Sequence, residues 1–150
     1  MVTGIDTETA QRLRIVFGRL SRALRPTETG FAVDLTPTRV AVLLNTVRNG
    51  PIRLAEVAAQ EGLNPTMLSR TVASLADAGL VARTADESDR RSAWLNATPA
   101  GHELARQIRA QRTQAIEAAV SHLSEPDRKL VEEALPALEE LAKQLQRERQ

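Results

Sequence analysis

Thr66, Ser69 and Arg70 stand close together in the chain, and each carries hydrogen-bond donors. On a helix they fall opposite Leu68, Val72 and Leu75, so burying the apolar side would turn this donor set to solvent. The chemistry open to such a set is recognition of acceptors. A guanidinium bonds two acceptors in one plane, as on the edge of a guanine, and hydroxyls suit phosphate oxygens or mixed base edges. Further along, Asp86-Glu87-Ser88-Asp89-Arg90-Arg91 ends in adjacent arginines preceded by an aspartate. A carboxylate beside an arginine holds the guanidinium in direction through paired hydrogen bonds. An arginine at a loop tip suits a narrow minor groove, where negative potential is concentrated. Asp89 has a role in that scheme. Asp86 and Glu87 have none, and they oppose a polyanion.

Other chemistries find no residues. The absence of cysteine removes disulfides, thiolate metal sites, cysteine nucleophiles and thiol redox sensing together. His102 and His122 have no partners at metal-ligand spacing and are assigned structural or surface roles. No glycine-rich phosphate loop, catalytic triad or pair of catalytic carboxylates can be assembled. The expectation is a protein that is not an enzyme and needs no cofactor or metal. Trp94 is assigned to packing of a hairpin rather than to ligand stacking. Arg12, Arg14, Arg19, Arg22 and Arg25 form a run free of acidic residues from Ala10 to Thr27. Such a run is ordinarily a solvated face, with phosphate or an anionic effector as the lesser alternative.

The elements that would position these residues are mostly helical. Leu13, Val16, Phe17, Leu20 and Leu24 recur at helical spacing and predict a first helix with one buried face, ended by Pro26. Thr36-Pro37 opens a second, with Val40, Leu43, Leu44 and Val47 as its buried stripe and Asn49-Gly50-Pro51 as its stop. A short helix with Leu54, Val57 and Ala58 inward ends at Gly62. Asn64-Pro65 starts the helix that carries Thr66, Ser69 and Arg70, and Gly79 is its left-handed stop. The period then shortens. Leu80 to Thr84 and Ala93 to Ala97 are strands around a charged loop, a β-hairpin. Thr98-Pro99 opens a long helix bearing Leu104, Ile108, Ala115, Ala119, Val120 and Leu123. Ser124-Glu125-Pro126 opens the last, bearing Val131, Leu135, Leu138, Leu141 and Leu145, with a kink or break expected near Glu132 to Pro136.

The whole is 150 residues with a formal net charge of only +1, so binding to a polyanion must rest on local charge. The first residues, MVTGIDTETA, lack the basic and apolar regions of a signal peptide, and no apolar run is long enough to span a membrane. A cytoplasmic protein with no membrane partner is expected.

A short helix, a glycine turn and a second helix with polar residues at its start describe a helix-turn-helix, whose second helix enters the major groove. With the hairpin behind it, the chain resembles the MarR family. The resemblance rests on Leu68-Ser69-Arg70-Thr71-Val72, Leu75-Ala76-Asp77-Ala78-Gly79-Leu80-Val81, Asp89-Arg90-Arg91 and Leu95-Asn96-Ala97-Thr98-Pro99-Ala100-Gly101, in that order. Ala97 departs from the leucine the family usually carries there. The resemblance implies a mainly α fold with a small β-hairpin: a winged helix-turn-helix plus a helical dimerisation region. It also implies a homodimer on double-stranded DNA with a palindromic operator, repressing until a small-molecule effector or oxidant releases it. Asn64, Pro65, Thr66, Ser69 and Arg70 would then belong to the recognition helix, and Asp89, Arg90 and Arg91 to the wing. Residues 1–35 and 101–150 would hold the dimerisation helices around a DNA-binding region at 36–100, in one compact domain. The rival expectation is a winged-helix module for protein interaction that binds no DNA.

Overall fold

Among the described residues, polar residues one or two positions before proline start four of the six helices. In the computed structural model, which describes residues 4–26, 34–88 and 92–148, α2 (Pro37–Asn49) is capped by Thr36, whose hydroxyl accepts from the Arg39 N–H at 3.3 Å. α4 (Pro65–Asp77) is capped by Asn64, whose side-chain oxygen accepts from Met67 N–H at 2.8 Å. α5 (Pro99–Ser121) begins after Thr98, whose hydroxyl accepts from Gly101 N–H at 3.1 Å, and α6 (Glu125–Arg147) after Ser124, which accepts from Asp127 N–H at 3.3 Å. In each case proline occupies the first turn, where its missing N–H costs nothing. The remaining elements are α1 (Thr7–Ala23), β1 (Ile52–Arg53), α3 (Leu54–Glu61), β2 (Val81–Ala85) and β3 (Ala93–Ala97).

Residues 1–112 and 113–150 pack as separate units. The first holds the core, in which Val40, Val42, Leu43, Val57, Leu68, Val72, Leu75, Leu95, Leu104 and Ile108 are buried. α2 lies at its centre, against α3, α4 and β3. That position buries more of α2 than the single stripe expected from its sequence. Leu44 and Val47 are only partly buried, whereas Val42, Asn45 and Thr46 are fully enclosed. The buried polar groups are paired, as their desolvation requires. Asn45 donates to Gln60 Oε1 at 2.9 Å and Glu61 Oε1 at 2.7 Å, which fastens the end of α3 to α2. Thr46 donates to the Val42 carbonyl at 2.8 Å.

Three expectations are refined by the structure. The hairpin belongs to a three-stranded antiparallel sheet of order β1-β3-β2, because Ile52 and Arg53 pair with Leu95 and Trp94. A two-residue strand is too short to show a period. The stripe of α1 is not buried within the chain: no residue of that helix is, and Val16 and Leu20 are about half exposed, at 49% and 52%. Finally, of the kink or break expected near Pro136, the break is absent: α6 is continuous from Glu125 to Arg147. The proline removes one N–H, but Glu132, whose carbonyl loses that bond, is exposed to water, and the flanking Ala, Leu and Glu residues are strong helix formers. α6 likewise buries no residue, and Leu130, Val131, Leu135 and Leu145 are exposed.

The turn from α4 into β2 is locked to the start of α5. Gly79 takes a φ of 72°, the left-handed conformation expected of it. Its carbonyl accepts from the Thr98 hydroxyl at 2.6 Å, and the Leu80 carbonyl accepts from Thr98 N–H at 3.1 Å. Gly101 packs so closely on this turn that an added Cβ would collide with the Leu80 carbonyl oxygen. Backbone cannot yield as a flexible side chain would, so Gly101→Ala should destabilise the protein by about 1–3 kcal/mol. A urea denaturation midpoint equal to that of wild type would show that the contact is not rigid.

Candidate nucleic-acid interface

α3 stops where Gly62 adopts φ 66°, ψ 35°, conformations that a side chain would disfavour. Leu63 N–H closes the turn on the Ala58 carbonyl at 2.9 Å, and Asn64 returns to extended backbone at φ −73°, ψ 157° before capping α4. Leu68, Val72 and Leu75 then point into the core, joined by Thr71, whose hydroxyl donates to the Met67 carbonyl at 2.9 Å. Asn64, Pro65, Thr66, Ser69 and Arg70 are all exposed on the first turns of α4, together with Met67. The helix N-terminus adds its own partial positive charge there. Asn64 spends its side-chain oxygen on the cap, which leaves its amide NH2 for an outside acceptor. Arg70 forms no ion pair among the described residues. Met67, which had no assigned role, offers an apolar contact of the kind that a thymine methyl accepts.

Behind α4, β2 and β3 pair from Val81↔Ala97 to Ala85↔Ala93. Asp86 N–H extends the ladder by one bond, to the Ser92 carbonyl at 3.2 Å. Asp89, Arg90 and Arg91 lie outside the described residues. The structure does account for Asp86, the acidic residue that had no evident purpose. Its side chain is only 7% exposed. Oδ1 accepts from the backbone N–H and hydroxyl of Ser88, at 2.9 and 2.7 Å. Oδ2 accepts from Trp94 Nε1 and from the Arg53 guanidinium, each at 3.2 Å. The same guanidinium sits 5.0 Å from the centre of the Trp94 ring.

Hydrogen bonds from Ser88, and then the charge of Arg53, hold the Asp86 carboxyl below its ordinary pKa. A carboxylate with a lowered folded pKa stabilises the fold above its unfolded value and loses that contribution as pH falls through the folded one. The cluster therefore stays intact at neutral pH and loosens only in acid. Arg53 and Asp86 were missed because the contact exists only once β1 is placed on β3, and nothing local in the sequence announces that pairing. The one available signal was a tryptophan on a short strand, a side chain whose N–H wants an acceptor when partly buried.

Among the described residues no group of His, Asp or Glu is arranged to hold a metal ion, and no helix is long and apolar enough to cross a membrane. A helix, a left-handed glycine turn, a second helix with its donors outward and a hairpin behind it make a winged helix-turn-helix. The MarR family model matches residues 35–93, a segment that begins just before α2 and ends in β3. The chain is 27% identical over 129 residues to an uncharacterised HTH-type transcriptional regulator of Mycobacterium bovis, covering 86% of this chain and 89% of that protein. It is similar to the crystal structure of MarR, with a TM-score of 0.71 and 26% identity over 90% of this chain and 98% of that one. The fold is also that of Streptococcus pneumoniae FabT, solved in complex with DNA, with a TM-score of 0.64 at 17% identity over 92% of this chain and 97% of that one. Residues 35–93 thus match the MarR family model, and the chain has the fold of MarR-family transcriptional regulators.

Proposed function

We propose that the protein is a sequence-specific DNA-binding transcriptional regulator, acting as a homodimer on a palindromic operator and released from it by a small aromatic or anionic ligand. The observation that carries this reading is the outward set Thr66, Ser69 and Arg70 at the positive end of α4, on a helix whose opposite side is anchored in the core. Pro65 and Asn64 fix where that helix begins, and Asp89, Arg90 and Arg91 supply the wing. FabT, similar in fold, was solved with DNA bound.

Dimerisation is supported by apolar side chains that a single chain leaves uncovered: Val16, Phe17 and Leu20 on α1, Leu130, Val131, Leu135 and Leu145 on α6. Patches of this kind on a soluble chain mark surfaces that meet another protein. A two-fold axis presents recognition helices in pairs, which matches a palindrome with half-sites one turn of DNA apart. A switch by direct thiol oxidation has no residue to act on, because the chain contains no cysteine.

Incubating the purified protein with fragmented genomic DNA, and sequencing what it retains, should return a shared palindromic sequence. Sedimentation at low micromolar concentration should show one dimeric species. Retention of no duplex at any salt concentration would favour a protein-interaction module instead. A monodisperse monomer that occupied one half-site per chain would overturn the dimer.

A further inference from the structure

We infer that Asp86 is a positioning residue for the wing: through Arg53 and Trp94 it ties the loop end of the β2–β3 hairpin to the start of α3, and so sets the direction in which the loop leaves the sheet. The inference rests on the DNA-binding reading above and adds to it the device that directs the wing loop.

The two oxygens of Asp86 divide their work. Oδ1 turns the loop, through Ser88. Oδ2 faces donors from two other strands, Trp94 on β3 and Arg53 at the end of β1. Arg53 is also the residue that precedes α3, and its side chain makes no capping bond to that helix. It reaches across the sheet instead. The register explains why: Arg53 lies opposite Trp94, and Trp94 lies opposite Thr84 on β2, so the three strands meet at this level. Asp86 stands two residues beyond Thr84, on the same side of the pleat.

β1 supports the hairpin over only two residues. Past Arg53 only the Ala85↔Ala93 pair and the bond from Asp86 N–H to the Ser92 carbonyl precede the loop, two strands without a third beside them. The Arg53–Asp86 contact joins residues 33 positions apart and carries the anchorage one step beyond the last paired residue of β1. Because the Arg53 side chain is 44% exposed, the ion pair adds little to overall stability. Its effect is on direction. The direction in which the loop leaves the sheet at Asp86 bears on the residues that follow in sequence, Arg91 among them. The carboxylate is also neutralised by Arg53, so it does not repel phosphate as an unpaired acidic residue would.

The test is a double-mutant cycle on the duplex that the wild-type protein selects. Asp86→Asn keeps the size of the side chain and an oxygen for Ser88 or Trp94, and removes the charge that holds Arg53. It should weaken duplex binding by roughly tenfold. In its background Arg91→Ala should cost much less than in wild type, whereas Arg70→Ala should cost the same in both. Trp94 is the only tryptophan, so its emission reports the cluster directly and should shift in free Asp86→Asn protein. If Asp86→Asn does not fold, Arg53→Gln, which alters an exposed group, takes its place in the cycle. Full additivity with Arg91→Ala, or wild-type affinity in Asp86→Asn, would overturn the inference alone. A wild type that binds no duplex would overturn the DNA-binding reading and this inference together.

Discussion

Arg70→Ala should remove about 1–3 kcal/mol of base discrimination at each half-site, flattening preference at one or two symmetric positions of the operator. In a dimer the loss occurs at both half-sites, so the operator-to-scrambled affinity ratio should fall by the product of the two. The reason is the position of the side chain. Arg70 is exposed near the start of α4, while Leu68 and Val72 on either side of it hold the helix in the core. Removing the guanidinium takes away a planar pair of donors and disturbs no packing, so the melting temperature should stay close to that of wild type. Titration of wild type and variant against operator and scrambled duplexes separates the two effects. An unchanged affinity ratio would show that α4 is not the element that reads sequence.

Arg91→Ala should behave differently. A wing arginine contributes charge and senses groove width, so its loss should weaken binding to most duplexes and reduce the salt slope by roughly one per subunit. Asp89→Ala should give a milder form of the same loss, because the arginine remains but is no longer held in direction. Asp89 and Arg91 adjoin one another in the sequence across Arg90 and lie outside the described residues. The Asp86 cluster strengthens their assignment to the wing, by showing that the first acidic residue of this loop is spent within the fold. Glu87, exposed at the tip, is explained by nothing in the structure. Titration across several salt concentrations reads the slope, and an Arg91→Ala variant with wild-type affinity and slope would remove the hairpin from the interface.

The features legible in the sequence were those governed by near neighbours. Thr36 and Asn64 cap the helices they were expected to cap, and Ser124 caps the helix it was expected to open, because a cap bonds an N–H only three residues away. Gly62 and Gly79 take positive φ where helices end. The β2 and β3 spans follow from a change of period that a few residues display. Since the reading helix is built from such local signals, its exposed set of Thr66, Ser69 and Arg70 could be named before the fold was known.

Where an outcome depended on distant segments, the sequence was silent or misleading. The period of α2 pointed to one buried stripe, but its surroundings enclose Val42, Asn45 and Thr46 as well, and only those surroundings supply Gln60 and Glu61 as partners for Asn45. The stripe of α1 promised burial that one chain does not provide, since an apolar period states what a face requires and not what meets it. β1 and the Arg53–Asp86–Trp94 cluster appear only when segments more than thirty residues apart are brought together. The chain by itself therefore determined its helices, most of their ends and which side chains α4 turns to solvent, because these depend on contacts within a turn or two. Tertiary structure alone decided that Asp86 meets Arg53 at the start of α3, because that contact has no energy until the sheet has formed.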